Sequence, residues 1–358
     1  MAGKIIKVAI LGQGRSGRNI HGWYLNTAKD KYKIVAVCDP LPDRRERAEK
    51  EYGCDVYDDY KRILKRQDID LFVNALPSHL HVPVTKDILK AGFNVLCDKP
   101  LARKVKEVDM LIETAEKNGK VLAIFQQSRY SPAFQQIKKI IRSGVLGRVI
   151  QINIAYNNFS RRWDWQTLQK YYGGSLLNTG PHPLDQALDL LNTDKMPKVT
   201  CIMDRVNTYG DAEDYVKLLL QVPGKPLIDL EISSCCAYPL FTYHIQASRG
   251  GLKGTMTHLD WKYYKPSEAP KVKLQESPIS GPDGTPTYCV DNLKFYEEHW
   301  DIPEGTDMFT MMVSSFYNML YKTLVYGKPL EITPQQVRQQ IAVIEECQRQ
   351  NRDVYGKV

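Results

Sequence analysis

The sequence predicts an α/β chain in which an N-terminal doubly wound parallel sheet is followed by a second, α+β unit built on a mostly antiparallel sheet. Three observations carry that reading. Strand-like and helix-like segments alternate strictly from residue 1 to about 125. A glycine-rich turn joins the first strand to the first helix. From 199 to 264 the helical period disappears, and β-branched and aromatic residues alternate instead.

In the N-terminal part the apolar runs at 5–11, 33–38, 54–57, 70–75, 93–97 and 121–125 are the strand candidates. Helical patterns lie between them, near 15–28, 41–51, 58–66, 82–91 and 104–118, and Gly92 and Gly119 stand as stop signals after the last two. A helix fits 131–143, a strand 148–156, and a further helix runs to about Leu191 after the Gly173-Gly174 pair. Turns are expected at Pro223-Gly224 and Gly250-Gly251 of the antiparallel region. Residues 265–290, rich in Pro, Gly, Ser and Lys, read as a surface excursion. Two helices follow, at about 306–326 and 334–350, the second with Thr333 as N-cap and Pro334 at its first position. The expected division is 1–125, 126–332 and 333–358, the last a helix packing back on the first unit.

The turn after the first strand reads Gly12-Gln13-Gly14-Arg15-Ser16-Gly17. In G-x-G-x-x-G the first glycine permits the tight turn, the second lets backbone amides approach a pyrophosphate, and the third lets helix and strand pack closely. The helix start offers free N–H groups and the positive end of its dipole to phosphate. The second strand ends in Asp39, where the fingerprint expects an acid for the adenosine ribose. These residues make a dinucleotide site. The Asp39 charge would repel a 2′-phosphate, so NAD is expected ahead of NADP. Arg44 and Arg45 keep NADP open, although the helix pattern turns them toward solvent.

At 358 residues the chain is expected to form two domains. An apolar content of 43% and a charged content of 25% describe a globular protein. No apolar run reaches the roughly 20 residues of a membrane span, and the first strand begins too early for a signal peptide, so a cytoplasmic protein is expected. The eight cysteines show no C-x-x-C spacing and read as reduced thiols. No metal site is expected, since His79 and His81 have no third ligand in view. The net charge of +8 is dispersed and mixed in sign, which argues against a nucleic-acid partner.

The fingerprint, the Asp98-Lys99-Pro100 step after the fifth strand, and the run GGSLLNTGPHPLDQ at 173–186 resemble the glucose–fructose oxidoreductase / inositol dehydrogenase / rhizopine-catabolism (Gfo/Idh/MocA) family. The resemblance extends from Ile5 to the ITPQQVRQQIAVIEEC run. It implies a Rossmann domain, an open-faced second sheet, an active site at their junction, a homo-oligomer, and NAD(P)-dependent chemistry on a carbinol of a sugar or cyclitol. It also implies that Pro77 and Ser78 lie beside the nicotinamide ribose and His81 beside the ring, and that Arg129 and Tyr130 approach the substrate.

Within that frame Lys99 favours a developing alkoxide. His182, at or near a helix start, is the candidate base. Asp185, three residues on, would bind a substrate hydroxyl or orient the imidazole. Asn178 stands where the family often has aspartate; it can hydrogen-bond but supplies no charge. Trp163, Trp165 and Tyr172 offer faces to a sugar or aglycone, with core packing or an oligomer contact as the alternative. The expected function is NAD-dependent oxidation of a secondary hydroxyl of a sugar or glycoside, at the 3-position of a glucoside on family habit. An inositol or free-sugar dehydrogenase and a non-catalytic NAD(P)-binding sensor are the alternatives.

Overall fold

The computed structural model describes residues 3–355. Its first sheet has six parallel strands in the order β3-β2-β1-β4-β5-β6: β1 Ile6–Leu11, β2 Tyr32–Cys38, β3 Asp55–Tyr57, β4 Leu71–Asn74, β5 Asn94–Cys97 and β6 Leu122–Ile124. Crossover helices cover both faces, so the central strands are continuous apolar runs, broken only by Lys7 and by Asn74 and Asn94 at strand ends. The sheet reverses direction of growth between β1 and β4, and this crevice lies at the carboxyl ends of the strands.

The second sheet has eight strands in the order β16-β13-β12-β11-β7-β10-β9-β8. They are β7 Val149–Asn157, β8 Lys198–Asp204, β9 Tyr215–Gln221, β10 Leu227–Ser233, β11 Tyr243–Ala247, β12 Gly250–Gly254, β13 His258–Tyr264 and β16 Phe295–Asp301. β14 Ile279–Ser280 and β15 Pro286–Thr287 form a separate small hairpin in the exposed excursion. β8, β9 and β10 alternate buried and open residues, as a sheet covered on one face must. The sheet is mostly antiparallel, as the sequence predicts, with one parallel pair and one strand that the sequence reading did not include. The β7–β10 pair is parallel, because the helix Pro181–Leu191 and the β8–β9 hairpin intervene between them. The edge strand β16 was not anticipated: its FYEEHWD run is mostly exposed, with acidic and aromatic residues mixed.

The two sheets share one continuous hydrophobic core, in which Leu122, Ile152, Leu184, Leu230 and Ile344 are all buried. The helix Pro334–Gln350 lies in this seam. Gln340 accepts from Gln126 at 2.8 Å and donates to the Pro181 carbonyl at 2.7 Å, linking both sides of the site. At its end, Gln350 and Asn351 pair with edge strand β8 through the Val199 and Cys201 carbonyls and the Cys201 and Met203 amides. The helix Met308–Tyr326 covers the opposite side of the first sheet, where Tyr317 packs on Tyr24 and Tyr32.

The helix after the fingerprint carries a π-turn over Gly17–Gly22. A Cβ on Gly17 would run into the Gly12 carbonyl, which is backbone and has nowhere to move. Gly17→Ala is therefore expected to push helix and turn apart, lowering the melting temperature and weakening dinucleotide binding at least tenfold, about 1.4 kcal/mol. Calorimetric titration with NAD measures the second effect.

Candidate functional site at the sheet junction

β1 delivers Gly12 with φ +92°, and a side chain there would sit 2.7 Å from the Ala75 carbonyl oxygen. Gly14 faces open space, with only the Arg44 guanidinium nearby. The Gln13 amide donates to the Asp39 carboxylate at 2.8 Å, and the Leu41 amide donates to its other oxygen at 3.0 Å. Asp39 is 2% exposed, so these bonds hold a carboxylate at the end of β2, with a lone pair free on the oxygen that accepts from Leu41. The cradle fits a dinucleotide: an open backbone turn, a helix start and a buried acceptor. Arg44 and Arg45 do not turn to solvent as the helix pattern suggests. Arg44 lies 3.4 Å from the Asp39 carboxylate, and Arg45 donates to the Asp39 and Pro40 carbonyls at 2.8 and 2.9 Å.

Ser16 donates to the Asp98 carboxylate, whose other oxygen accepts the Lys99 amide at 2.8 Å. Burial would raise the Asp98 pKa. His21, 3.7 Å away, together with Lys99 and His81, outweighs burial and holds the carboxyl well below the usual range. The Lys99–Pro100 peptide is cis. From it the Lys99 ammonium crosses to the second unit and donates to the Asn178 carbonyl, with the Asn178 side-chain oxygen at 3.5 Å. Burial lowers the Lys99 pKa and the charges of Arg15 and Arg162 add to that, against the opposing pull of Asp98.

His182 is the second residue of the helix Pro181–Leu191, which begins at this Gly-Pro step. Its Nδ1 lies 3.2 Å from the Ser128 hydroxyl. Burial, and then the Lys99 charge, push its pKa down to about 3, so the imidazole is neutral at any working pH. Ser128 drew no attention in the sequence; it stands one residue before the more conspicuous Arg129. Beside Asn178 a polar cavity of about 110 Å³ is lined by Asn158, Arg162, Thr179, Glu213 and Ser234 among others.

Other expectations change. Asp185 does not face a substrate: its carboxylate is held by Arg129 through two contacts of 2.6 Å. Arg129 also contacts Asp189 at 3.1 Å and is 6% exposed, so its guanidinium is committed to carboxylates in the core. Tyr130 donates to Glu331 at 2.9 Å, away from Lys99. Tyr172, at φ +61°, packs on the hydrophobic core, with the Arg103 guanidinium over its ring. Its neighbour Tyr171 packs instead against His79 and Trp165. Trp165 is half exposed and Trp163, set edge-on to Tyr209, is largely so. Ser78 is buried and Pro77 exposed in the loop after β4. His81 is not free to meet a ligand, since both ring nitrogens are taken by backbone carbonyls. Among the described residues no His, Cys, Asp or Glu group is arranged for a metal, and no helix is long and apolar enough to cross a membrane.

Comparison with known proteins gives two family matches. Residues 6–126 match an oxidoreductase family with an NAD-binding Rossmann fold, and 134–253 match the GFO/IDH/MocA C-terminal domain. A scyllo-inositol 2-dehydrogenase (NADP(+)) of Bacillus subtilis is 28% identical over 60% of this chain and 59% of its own length. A D-glucoside 3-dehydrogenase of Escherichia coli is 31% identical over 53% of this chain and 55% of its own. The chain thus spans somewhat more than half the length of these relatives. In fold it is similar to the WlbA dehydrogenase of Bordetella pertussis, solved with NADH and UDP-GlcNAcA (TM-score 0.77, 20% identity, 99% of this chain and 97% of that one).

The Arg129–Asp185 pair gives a direct test of its structural role. Arg129→Met strands a buried carboxylate, and breaking such a pair costs about 3–5 kcal/mol. Denaturant unfolding should show a loss of that size, while a substrate contact would leave stability unchanged.

Proposed function

The chain belongs to the Gfo/Idh/MocA oxidoreductase family, and on that premise we propose that it is an NAD-dependent dehydrogenase acting on a secondary hydroxyl of a sugar or glycoside. The observation that carries the reading is the meeting of a half-buried ammonium, Lys99, with a half-buried neutral imidazole, His182, beside the dinucleotide cradle. Bound NAD supplies the hydride acceptor. Lys99 presents its ammonium to the substrate oxygen and stabilises negative charge as the C–H bond breaks. His182 holds a lone pair for the hydroxyl proton, with Ser128 fixing the ring. Asn178 anchors Lys99 without neutralising it, so the full positive charge remains available to an alkoxide.

The polar cavity beside Asn178 suits a polyol, because its lining carries hydroxyls, amides, one guanidinium and the carboxyls of Glu213 and Asp214. The glucoside 3-position draws support from the E. coli relative, and a cyclitol from the B. subtilis one. NAD is favoured over NADP because Asp39 is a buried carboxylate at the ribose position. The neutral Asn178 also supports a second reading, a cofactor-binding sensor without turnover. We further propose a cytoplasmic setting, which the eight unpaired cysteines suit. We propose an oligomer with Trp163 on an exposed contact, and a chain divided near 125 and 332.

Turnover is tested by adding glucosides, inositols and free sugars to the NAD-loaded protein and following reduced nicotinamide. His182→Ala and Lys99→Met are each expected to lower kcat about 10²–10⁴-fold with NAD affinity kept. No turnover of any sugar with either cofactor supports the sensor. In the pH profile of kcat/KM, His182 contributes no acid limb above its pKa of about 3. The ammonium form of Lys99 is lost as pH rises through a midpoint below 10.5, which sets the alkaline limb. Asp39→Ser is expected to raise the NADP to NAD ratio of kcat/KM at least tenfold, Arg44 being left to face the 2′-phosphate.

A further inference from the structure

His81 opens the helix His81–Lys90 and is 2% exposed. Its Nδ1 lies 2.7 Å from the Pro100 carbonyl oxygen and its Nε2 lies 2.8 Å from the Leu76 carbonyl oxygen. A carbonyl oxygen only accepts, so each ring nitrogen must donate. A neutral imidazole carries one N–H; in this place its lone pair would face an oxygen lone pair with no water between them. We infer that His81 is a buried imidazolium at neutral pH that ties the loop after β4 to the Lys99–Pro100 step, making it a positioning residue for Lys99.

The surroundings bear this out from every side. The helix start beneath the ring disfavours a cation. Against it stand two charge-assisted hydrogen bonds and the ionised Asp98 just past β5. The Cys97 side chain faces the ring from β5, and His79, itself pushed toward its neutral form by burial and then by the His81 charge, stands on the preceding turn. Burial lowers the His81 pKa, but Cys97, Asp98 and the Pro100 carbonyl outweigh it and push it up to about 9. The sign follows: the tie is fully present below the ordinary value of 6.5 and is lost as pH rises through about 9.

The charge state stands on geometry alone, whereas the service to Lys99 rests on the dehydrogenase reading. Neutron diffraction of the wild-type protein at pH 7 reads the first directly: two ring N–H deuterons on His81 are expected, and a single one overturns the inference. The tie is read by amide hydrogen exchange in His81→Gln, which can donate to only one of two diverging carbonyls. Exchange is expected to accelerate at least tenfold in 76–80 and 98–102 together, with the rest of the first sheet unchanged. Acceleration confined to one segment, or spread over the whole sheet, overturns the tie. His81→Gln is further expected to lower kcat at least thirtyfold while substrate KM stays within threefold. An unchanged kcat overturns the positioning role. The first two readouts need no turnover, so an inactive wild type would sink the dehydrogenase reading and leave this one standing.

Discussion

The site depends on one buried anion, the carboxylate of Asp98. It takes the Ser16 hydroxyl and the Lys99 amide, and it lies against His21. Those partners come from the fingerprint helix and from the step that carries the ammonium. Burying a lone carboxylate would be prohibitively costly, and the same low dielectric makes each of these contacts stronger than it would be in water. The cofactor cradle and the reactive lysine are thereby fixed to one another through a group that touches neither substrate nor nicotinamide in this reading.

Around that anion the charges are distributed unevenly. Toward the second unit, Lys99 meets a carbonyl and an amide oxygen but no carboxylate, while Arg15 and Arg162 add positive potential. Of the two acids in the cavity wall, Glu213 is already occupied by the Leu176 amide and the Tyr355 hydroxyl, and burial lifts its pKa to about 7. Asp214 is taken by the Val206, Asn207 and Thr208 amides. The acid that would usually be sought beside a histidine base, Asp185, is spent on Arg129 in the core.

The first sheet was legible almost strand for strand, because parallel strands covered on both faces are continuous apolar runs and their glycine punctuation is strong. The fingerprint and Asp39 were legible for the same reason, each sitting at a strand end or helix start that local pattern defines, whereas Lys99, Asn178 and His182 were singled out through the family resemblance. What the sequence hid is the direction in which a side chain is used. Asp185 and His182 share a helix face in projection, yet Arg129 captures one and Lys99 crowds the other. Tyr171 and Tyr172 are adjacent and identical in type, and only the positive φ of the second decides which one meets His79. β16 escaped notice because a solvent-facing edge strand needs no apolar alternation.

The junction of Gln350 and Asn351 with β8 has a consequence for how copies of this chain can meet. Those two side chains donate to and accept from the strand's outer backbone as a ninth strand would, so that margin of the sheet is already paired. Among the described residues its opposite margin, β16, pairs on one side only, with β13. Strand addition at the β8 margin of this sheet is thus blocked by the side chains at a helix's end.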